Sequence, residues 1–324
     1  MREEYSKIDI EENSIINIDP IILAILLIDR TSNKNIIWAT DNYKEYGTQY
    51  DEDKTIQIEL ITGENGNIIK PRIEKSKKEQ YNRSREKGEV FTPSWMCNIQ
   101  NNLIDEKWFG YKNVFNKEYN SYWMVTEKKI EFPKNKKWED YIKDKRLEVS
   151  CGEAPYIVSR YDTVTGNIIP IKSRIGLLDR KLRIINENTQ NKEEWLKWAE
   201  VAYKSIYGYD WQGDNIILAR ENLLVTLIDY YEERFNEKLD RNKIMLFAEI
   251  ISWNIWQMDG LKGVIPNSCQ NEEENQLSLF IKKKKTSKKC IGCESENIHN
   301  HNGIYCKIMD WDKNKAVKFV NLIK

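Results

Sequence analysis

Apolar and polar residues in the second half of the chain follow helical and strand periods in turn. Tryptophan and alanine recur at helical spacing over 191–205, and two longer amphipathic stretches follow. Short apolar segments stand before, between and after these helices. The predicted helices cover 191–205, 214–234 and 240–253, and the predicted strands cover 147–150, 206–210 and 254–259. Strands that alternate with crossover helices predict an α/β fold with a parallel sheet.

The first third of the chain has a different pattern and predicts strands. Residues 56–61 alternate apolar and polar side chains, and a turn rich in glycine and asparagine follows at 63–67, which together predict a hairpin. Residues 35–40 also have strand composition. A helix is predicted over 94–106, with Ser94 as its N-cap.

Charged segments separate these parts. The segment 72–89 is rich in lysine and arginine, and it is either a solvated helix or linker or a loop near nucleic acid. Residues 270–289 are acidic and amide-rich and then lysine-rich, which is typical of a connector. The predicted organisation is a β-rich segment over 1–88, an α/β domain over 89–268, and a linker with a Cys/His module over 269–324.

Overall charge and composition exclude few classes of function. The chain of 324 residues has 51 basic and 51 acidic side chains, so no net field attracts a polyanion, although local basic patches can still bind DNA. The opening residues lack a basic signal region, and the longest apolar run, 21–28, is too short to span a bilayer. We therefore expect a cytoplasmic protein without a membrane segment.

Acidic residues stand near the ends of the three predicted parallel strands. Glu148 precedes the turn at Cys151 and Gly152, Asp210 ends the second strand, and Asp259 ends the third. Ligands of open parallel sheets lie beyond the carboxyl ends of the strands. A carboxylate there can accept hydrogen bonds from ribose hydroxyls, and Asp259 could accept the amino group of an adenine. The three carboxylates predict one nucleoside site.

Four segments occur in the order found in one enzyme family. Phe91-Thr92-Pro93, Leu147–Gly152, Asp210-Trp211 and Asn254–Asp259 resemble motifs X, I, II and III of S-adenosylmethionine-dependent DNA adenine-N6 methyltransferases, especially the methylase subunits of restriction-modification systems. The resemblance covers residues 88–262 and implies a Rossmann-like methyltransferase sheet with DNA as substrate. The cofactor-binding residues that it implies are Phe91, Thr92, Pro93, Glu148, Cys151, Gly152, Asp210, Trp211 and Asp259.

The chain departs from the family pattern in two places. In the loop after the first strand, Val149 replaces the usual proline, and Glu153 and Ala154 replace a small residue and a second glycine, which would put a carboxylate near the methionine part of the cofactor. The Asn-Pro-Pro-Tyr loop that holds the target adenine is absent, because none of the seven prolines are adjacent. No catalytic residue is therefore assigned.

The missing loop has a consequence for the sheet. In the family, the first strand lies between the second and the fourth, so here it becomes an exposed edge that invites pairing. Either a second polypeptide supplies the catalytic half, or residues 303–324 cover the edge. We expect the isolated chain to bind cofactor weakly or not at all and not to methylate DNA alone. The alternative is a catalytically inactive methyltransferase-like protein that binds DNA or a protein in restriction or anti-restriction.

Cysteine and histidine cluster near the C-terminus. Cys290 and Cys293 form a knuckle around a glycine, and Cys306 follows. In a cytosolic chain this spacing favours a structural zinc site over disulfides, with free surface thiols as the alternative. Cys269 is the favoured fourth ligand, and His301 or His299 are the other candidates.

Overall fold

The computed structural model describes residues 8–10, 12–270, 272–273, 287–288 and 290–323. Most of the predicted connector over 270–289 lies outside these residues. Among the described residues, no helix combines the length and the apolar character needed to cross a bilayer.

The strands form several short ribbons and one parallel sheet. They are β1 (Ile28–Asp29), β2 (Lys34–Asn35), β3 (Asn116–Tyr119), β4 (Tyr122–Val125), β5 (Arg146–Val149), β6 (Ile206–Asp210), β7 (Ile255–Gln257), β8 (Glu272–Glu273), β9 (Ser287–Lys288), β10 (Lys307–Asp310) and β11 (Lys315–Lys318). β5, β6 and β7 are parallel and lie side by side in that order. The predicted parallel sheet is confirmed, but the described part holds three strands and not a full Rossmann-like sheet.

Helices connect and cover these strands. They are α1 (Glu12–Ile18), α2 (Pro20–Leu27), α3 (Lys77–Lys87), α4 (Ser94–Phe109), α5 (Trp138–Lys143), α6 (Leu177–Asn188), α7 (Lys192–Lys204), α8 (Gly213–Phe235), α9 (Arg241–Asn254) and α10 (Ile291–Ser295). α6 and α7 lie between β5 and β6 in the chain, and α8 and α9 lie between β6 and β7. The predicted positions of α7, α8 and α9 are confirmed to within one residue at each end.

The start of α4 differs in detail from the prediction. Pro93 occupies the N-cap position, and Ser94 is the first helical residue. The N–H of Ser94 donates to a carboxylate oxygen of Asp162 at 2.6 Å. A side chain 68 residues away therefore satisfies this helix end.

The N-terminal segment is not β-rich, and that prediction is wrong. Its apolar residues lie mainly in α1, α2 and short 3₁₀ turns. Asp19 caps α2 by accepting from the N–H of Ile21, and Pro20 follows in the first turn. Residues 56–61 form a 3₁₀ turn over Ile58–Leu60 instead of a hairpin strand, and both Ile56 and Ile61 are buried.

The two faces of the parallel sheet have different coverings. Tyr207, Tyr209 and Trp256 share one face, on which Ile308 and Phe319 of the C-terminal segment pack. The other face, with Ile206 and Ile255, packs into the main core, to which the N-terminal helices also belong.

The edge of the sheet remains open at β5. Leu147 and Val149 lie on the same face as Tyr207 and Tyr209, yet they are 44% and 59% exposed. β5 pairs only with β6 among the described residues. The C-terminal ribbon of β10 and β11 thus covers a face of the sheet and not this edge.

Candidate functional site

One cavity of about 860 Å³ lies beyond the carboxyl ends of β5 and β6. Its walls come from residues 87–92, from α4, from the loop 148–152 after β5, and from the segment 210–215 after β6. Seven of the nine residues implied as cofactor-binding line it, namely Phe91, Thr92, Glu148, Cys151, Gly152, Asp210 and Trp211. A cavity at this edge of a parallel sheet is the usual place for a ligand.

Asp210 clamps the loop after β5 to the end of β6. Its Oδ2 accepts from the N–H of Gly152 at 2.9 Å, and its Oδ1 accepts from the N–H of Gln212 at 2.9 Å. The N–H of Cys151 donates to the carbonyl of Tyr209 at 2.8 Å and continues the strand pairing. Asp210 therefore builds the cavity wall, and its Oδ2, which accepts one bond, can accept a further bond from a ligand.

The loop after β5 turns through left-handed backbone. Ser150, Gly152 and Ala154 have φ values of 51°, 53° and 63°. The left-handed backbone favours glycine at position 152, whereas space does not, because a Cβ there would lie at an ordinary contact distance of 3.6 Å from the ring of Phe91. The guanidinium of Arg72 lies over the ring of Phe91, 5.1 Å from its centre, and helps to hold it in place.

The two substitutions in this loop do not fill the cavity. Glu153 is buried, accepts from the N–H of Arg72 at 2.6 Å and from the hydroxyl of Tyr161 at 2.7 Å, and does not line the cavity. Ala154 is fully buried in the main core. Glu153 was expected to put a carboxylate near a bound cofactor, but it contributes none to this cavity because it bonds to Arg72 and Tyr161 instead.

Glu148 presents an unsatisfied carboxyl group in the cavity wall. It is 8% exposed, its Oε1 accepts a long bond of 3.4 Å from the N–H of Tyr156, and its Oε2 has no partner among the described residues. Burial, together with the nearby charge of Asp210, raises the pKa of Glu148 well above its ordinary value. An unpartnered buried oxygen costs about 1–3 kcal/mol, so a ligand that donates to it would gain affinity.

Sequence reasoning missed a set of polar residues in the same wall. Asn215 donates through Nδ2 to Oε1 of Glu89 at 3.1 Å and to Oδ1 of Asp210 at 3.3 Å, which leaves its own Oδ1 without a partner among the described residues. Thr40 and Asn101 also line the cavity and have an unpartnered buried oxygen in the same part of the chain. These acceptors suit a ligand rich in N–H and O–H donors.

A buried ion pair supports this wall from behind. Arg83 of α3 donates to Glu89 through two nitrogens at 2.8 Å, and it also contacts Asp214 at 2.7 Å. Within the charged segment 72–89, residues Lys77–Lys87 form the helix α3, and the sequence analysis expected either a solvated helix or linker or a loop near nucleic acid. The helix is not solvated on every side, because Arg83 is buried. The sequence signal for this role was the position of Glu89, two residues before Phe91.

Two of the nine residues lie outside the cavity. Pro93 does not line it, and its carbonyl accepts from the N–H groups of Met96 and Cys97 in α4. Asp259 accepts from the N–H of Leu261 at 3.0 Å and pairs with Nζ of Lys262 at 3.2 Å. The predicted convergence therefore holds for Glu148 and Asp210 and is wrong for Asp259.

The path of the chain explains the position of Asp259. After β7, the chain folds back, and the N–H of Asp259 donates to the carbonyl of Val264 at 2.9 Å. Asp259 consequently lines a second cavity of about 510 Å³. In the first cavity, the same loop contributes Asn267 instead.

Three cysteines and one histidine meet beside the second cavity. The ligand atoms of Cys269, Cys290, Cys293 and His301 all lie within 4.8 Å of one another. Nδ1 of His301 is 3.6 Å from Sγ of Cys269, 3.8 Å from Sγ of Cys290 and 3.6 Å from Sγ of Cys293. A tetrahedral zinc ion with ordinary bond lengths separates such ligand atoms by about 3.6–3.8 Å, so the group could hold zinc.

The predicted ligand set needs one correction. Cys306 is fully buried and donates from Sγ to the carbonyl of Gln257 at 3.4 Å, in the second apolar cluster under the sheet. His301 takes the place that the sequence analysis gave to Cys306. His299 is exposed and lies outside the group, whereas Cys269 lies in it as expected.

Local geometry and charge both favour a cation in this group. A Cβ at Gly292 would lie 2.6 Å from the backbone nitrogen of His301, so the knuckle requires glycine. Burial raises the pKa of Cys290, but hydrogen bonds from backbone groups such as Asn302 outweigh it and lower the pKa to about 6. Burial and the neighbouring thiols raise the pKa of Cys269 to about 11. Such crowded sulfurs can all ionise when a divalent cation offsets their repulsion.

Comparison of the chain with known proteins adds no relative. No protein-family model matches it, and neither the curated proteins nor the solved structures include a significant match.

Proposed function

We propose that the cavity beyond β5 and β6 binds S-adenosylmethionine and that the chain is a subunit of a DNA adenine-N6 methyltransferase. The observation that carries this proposal is the convergence of Phe91, Thr92, the loop 148–152, Asp210 and Trp211 on one cavity. These residues come from three separate segments, so their meeting is not a consequence of sequence proximity.

Each part of the wall has a role in the proposed complex. Oδ2 of Asp210 and Oε2 of Glu148 accept hydrogen bonds from hydroxyl or ammonium groups of the cofactor. The rings of Phe91 and Trp211 pack against its apolar parts, and Trp211 is held by a bond from Nε1 to the carbonyl of Ala39 at 3.0 Å. When bound, the cofactor supplies an electrophilic methyl group. The chain's own residues bind it and orient it.

Transfer to adenine requires groups from another polypeptide. A flipped adenine needs stacking and contacts to its edge, which offset an unstacking cost of a few kcal/mol. The chain has no Asn-Pro-Pro-Tyr sequence to make those contacts. The open edge of β5, with exposed Leu147 and Val149, supports the proposal that a second chain adds its strand and catalytic loop there.

Isothermal titration calorimetry of the zinc-loaded chain with S-adenosylmethionine, S-adenosylhomocysteine and ATP tests the binding step. The sequence departures at Glu153 and Ala154 suggested weak binding or none, but neither residue lines the cavity, so we now expect the chain to bind the first two ligands. We expect no binding of ATP, because the sequence has no glycine-rich loop for phosphates. Asp210→Asn should weaken binding at least tenfold because its Nδ2 can no longer accept from Gly152 or from the ligand. Asp259→Asn is the matched control and should change the affinity by less than about twofold, since Asp259 lies outside the cavity and the asparagine Oδ1 can still accept from the N–H of Leu261 and keep the turn.

The outcomes separate the two hypotheses of function. Binding that Asp259→Asn abolishes and Asp210→Asn spares would contradict the proposed site. Absence of binding by both adenosyl ligands would instead favour a catalytically inactive module that binds DNA or a protein.

A further inference from the structure

The two cavities share a wall. Glu52 and Asn267 line both the cavity beyond β5 and the smaller one beside the Cys/His group. The smaller cavity is also lined by Cys269, Cys290 and Cys293. The candidate metal position and the candidate nucleoside site are therefore separated by little more than one loop.

Asn267 stands two residues before a metal ligand. Its backbone is left-handed, with a φ of 59°, and it lies in a turn that the N–H of Ser268 closes on the carbonyl of Ile265 at 3.2 Å, one residue before Cys269. A bound metal that fixes Sγ of Cys269 consequently restricts where the amide of Asn267 can lie.

The metal group ties this loop to a second segment of the chain. The N–H of Ile265 donates to the carbonyl of Ile304 at 2.8 Å, and the N–H of Ile304 donates to Oγ of Ser268 at 3.0 Å. His301 is in the segment that contains Ile304, and Cys269 follows Ser268. A bound metal would thus cross-link the two segments that these two hydrogen bonds already join.

The two cross-linked segments are packed closely and have little room to move relative to each other. A Cβ at Gly303 would lie 2.7 Å from Oγ of Ser268 and 3.0 Å from Sγ of Cys269. The backbone of Gly303 therefore lies in direct contact with the Ser268–Cys269 segment, next to the metal ligands. A change in the spacing of Cys269 and His301 must be accommodated by movement of the loop that carries Asn267.

We propose that metal binding at Cys269, Cys290, Cys293 and His301 positions Asn267 in the wall of the cofactor cavity, so that metal and cofactor bind cooperatively. This inference rests on the proposed function. Asn267 is a positioning and contact residue for the cofactor, and Asp259, at the other end of the loop, serves as the turn that returns the chain. Because coupling between two ligands is reciprocal, the cofactor must strengthen metal binding by the same factor.

The first experiment measures the affinity for S-adenosylhomocysteine by calorimetry in the zinc-loaded full chain and after zinc removal by a chelator. We expect removal of zinc to weaken binding at least tenfold. Competition of the protein with a chromogenic zinc chelator, with and without saturating S-adenosylhomocysteine, should show the same factor in zinc affinity. Affinities that agree within twofold with and without zinc would overturn the inference and leave the proposed function intact.

A second experiment uses a variant that keeps its zinc, because removal of zinc could lower the affinity simply by unfolding the chain. Asn267→Gly removes the amide while glycine tolerates the left-handed backbone, so zinc content should stay unchanged and ligand affinity should fall about fivefold or more. Asn300→Ala is the matched control, because Asn300 is exposed in the same module and lines neither cavity. Unchanged affinity in Asn267→Gly would contradict the role of Asn267. Failure of the zinc-loaded chain to bind any adenosyl ligand would refute the proposed function together with this inference.

Discussion

At the scale of single residues, the buried carboxyl group of Glu148 should lower the stability of the fold and favour ligand binding. Its folded-state pKa is raised, so the folded protein holds a proton that the unfolded chain releases above its ordinary pKa of 4.5. Stability without ligand must therefore fall as the pH rises from about 4.5 through the raised pKa. Replacing the ionisable Glu148 side chain by a neutral one should prevent this loss of stability.

Glu148→Gln should consequently raise the free energy of unfolding at pH 8 by about 1 kcal/mol or more and leave it nearly unchanged at pH 4.5. The same substitution should weaken binding of S-adenosylmethionine about tenfold, because an acceptor for its donors is lost. Urea denaturation at both pH values and calorimetry measure these effects. Glu59→Gln is the control, since Glu59 is exposed and does not line the cavity. A Glu148→Gln variant that is less stable than the wild-type chain at pH 8 would contradict this account of the buried carboxyl group.

At the scale of elements, the metal group joins three pieces of chain. Cys269 comes from the loop after β7, Cys290 is the N-cap of α10 and Cys293 lies in its first turn, and His301 precedes β10. Metal content measured by mass spectrometry should be about one zinc per purified chain. His301→Ala should lose most of this zinc and lower the melting temperature, because a divalent ion no longer holds the three pieces together.

Two other variants distinguish the observed ligand set from the one expected from spacing. His299→Ala should keep its zinc, since His299 lies outside the group. Cys306→Ala should also keep its zinc but lose stability, because the buried thiol fills space in the cluster under the sheet. Loss of zinc in Cys306→Ala with retention in His301→Ala would show that the spacing argument was right and the observed geometry wrong.

Elements with strong helical periods could be predicted from sequence, and those shaped by distant contacts could not. α8 and β6 follow from their own residues, because the apolar spacing of the helix and the buried run of the strand are local signals. The run at 21–28 is apolar on every side, and such a run fits a buried helix as well as a strand. The pair Asp19-Pro20 was the local signal for α2, as N-cap and first-turn residues.

The candidate site divides in the same way. Glu148 and Asp210 follow directly from their places at the ends of neighbouring strands, so their convergence could be predicted. Asp259 could not be placed, because the reversal of the chain at Val264 depends on pairing with Tyr305. The sequence analysis could name His301 only as one candidate for the fourth ligand, because its position depends on how the segment before β10 folds back.

At the scale of the whole molecule, the second chain that we propose would dock on the edge of β5, which pairs only with β6 within the described part of the chain. Exposed apolar residues on an edge strand are a ready template for another strand. We expect the isolated chain not to transfer labelled methyl groups from S-adenosylmethionine to duplex DNA. Activity should require a second chain that contains an Asn-Pro-Pro-Tyr loop, such as the product of a neighbouring open reading frame.

Leu147→Lys tests whether that second chain docks on β5. A lysine on the exposed face of the edge strand should remain solvated in the isolated chain but should lose its solvation in a paired sheet, so co-purification and methyl transfer should both fall at least tenfold. Met124→Lys on β4 is the matched control, because Met124 is 57% exposed on a different ribbon. Affinity for S-adenosylmethionine is measured in both variants, since Leu147 also lines the cavity. Full methyl transfer by the Leu147→Lys chain, or by the isolated wild-type chain, would show that β5 is not where the catalytic half attaches.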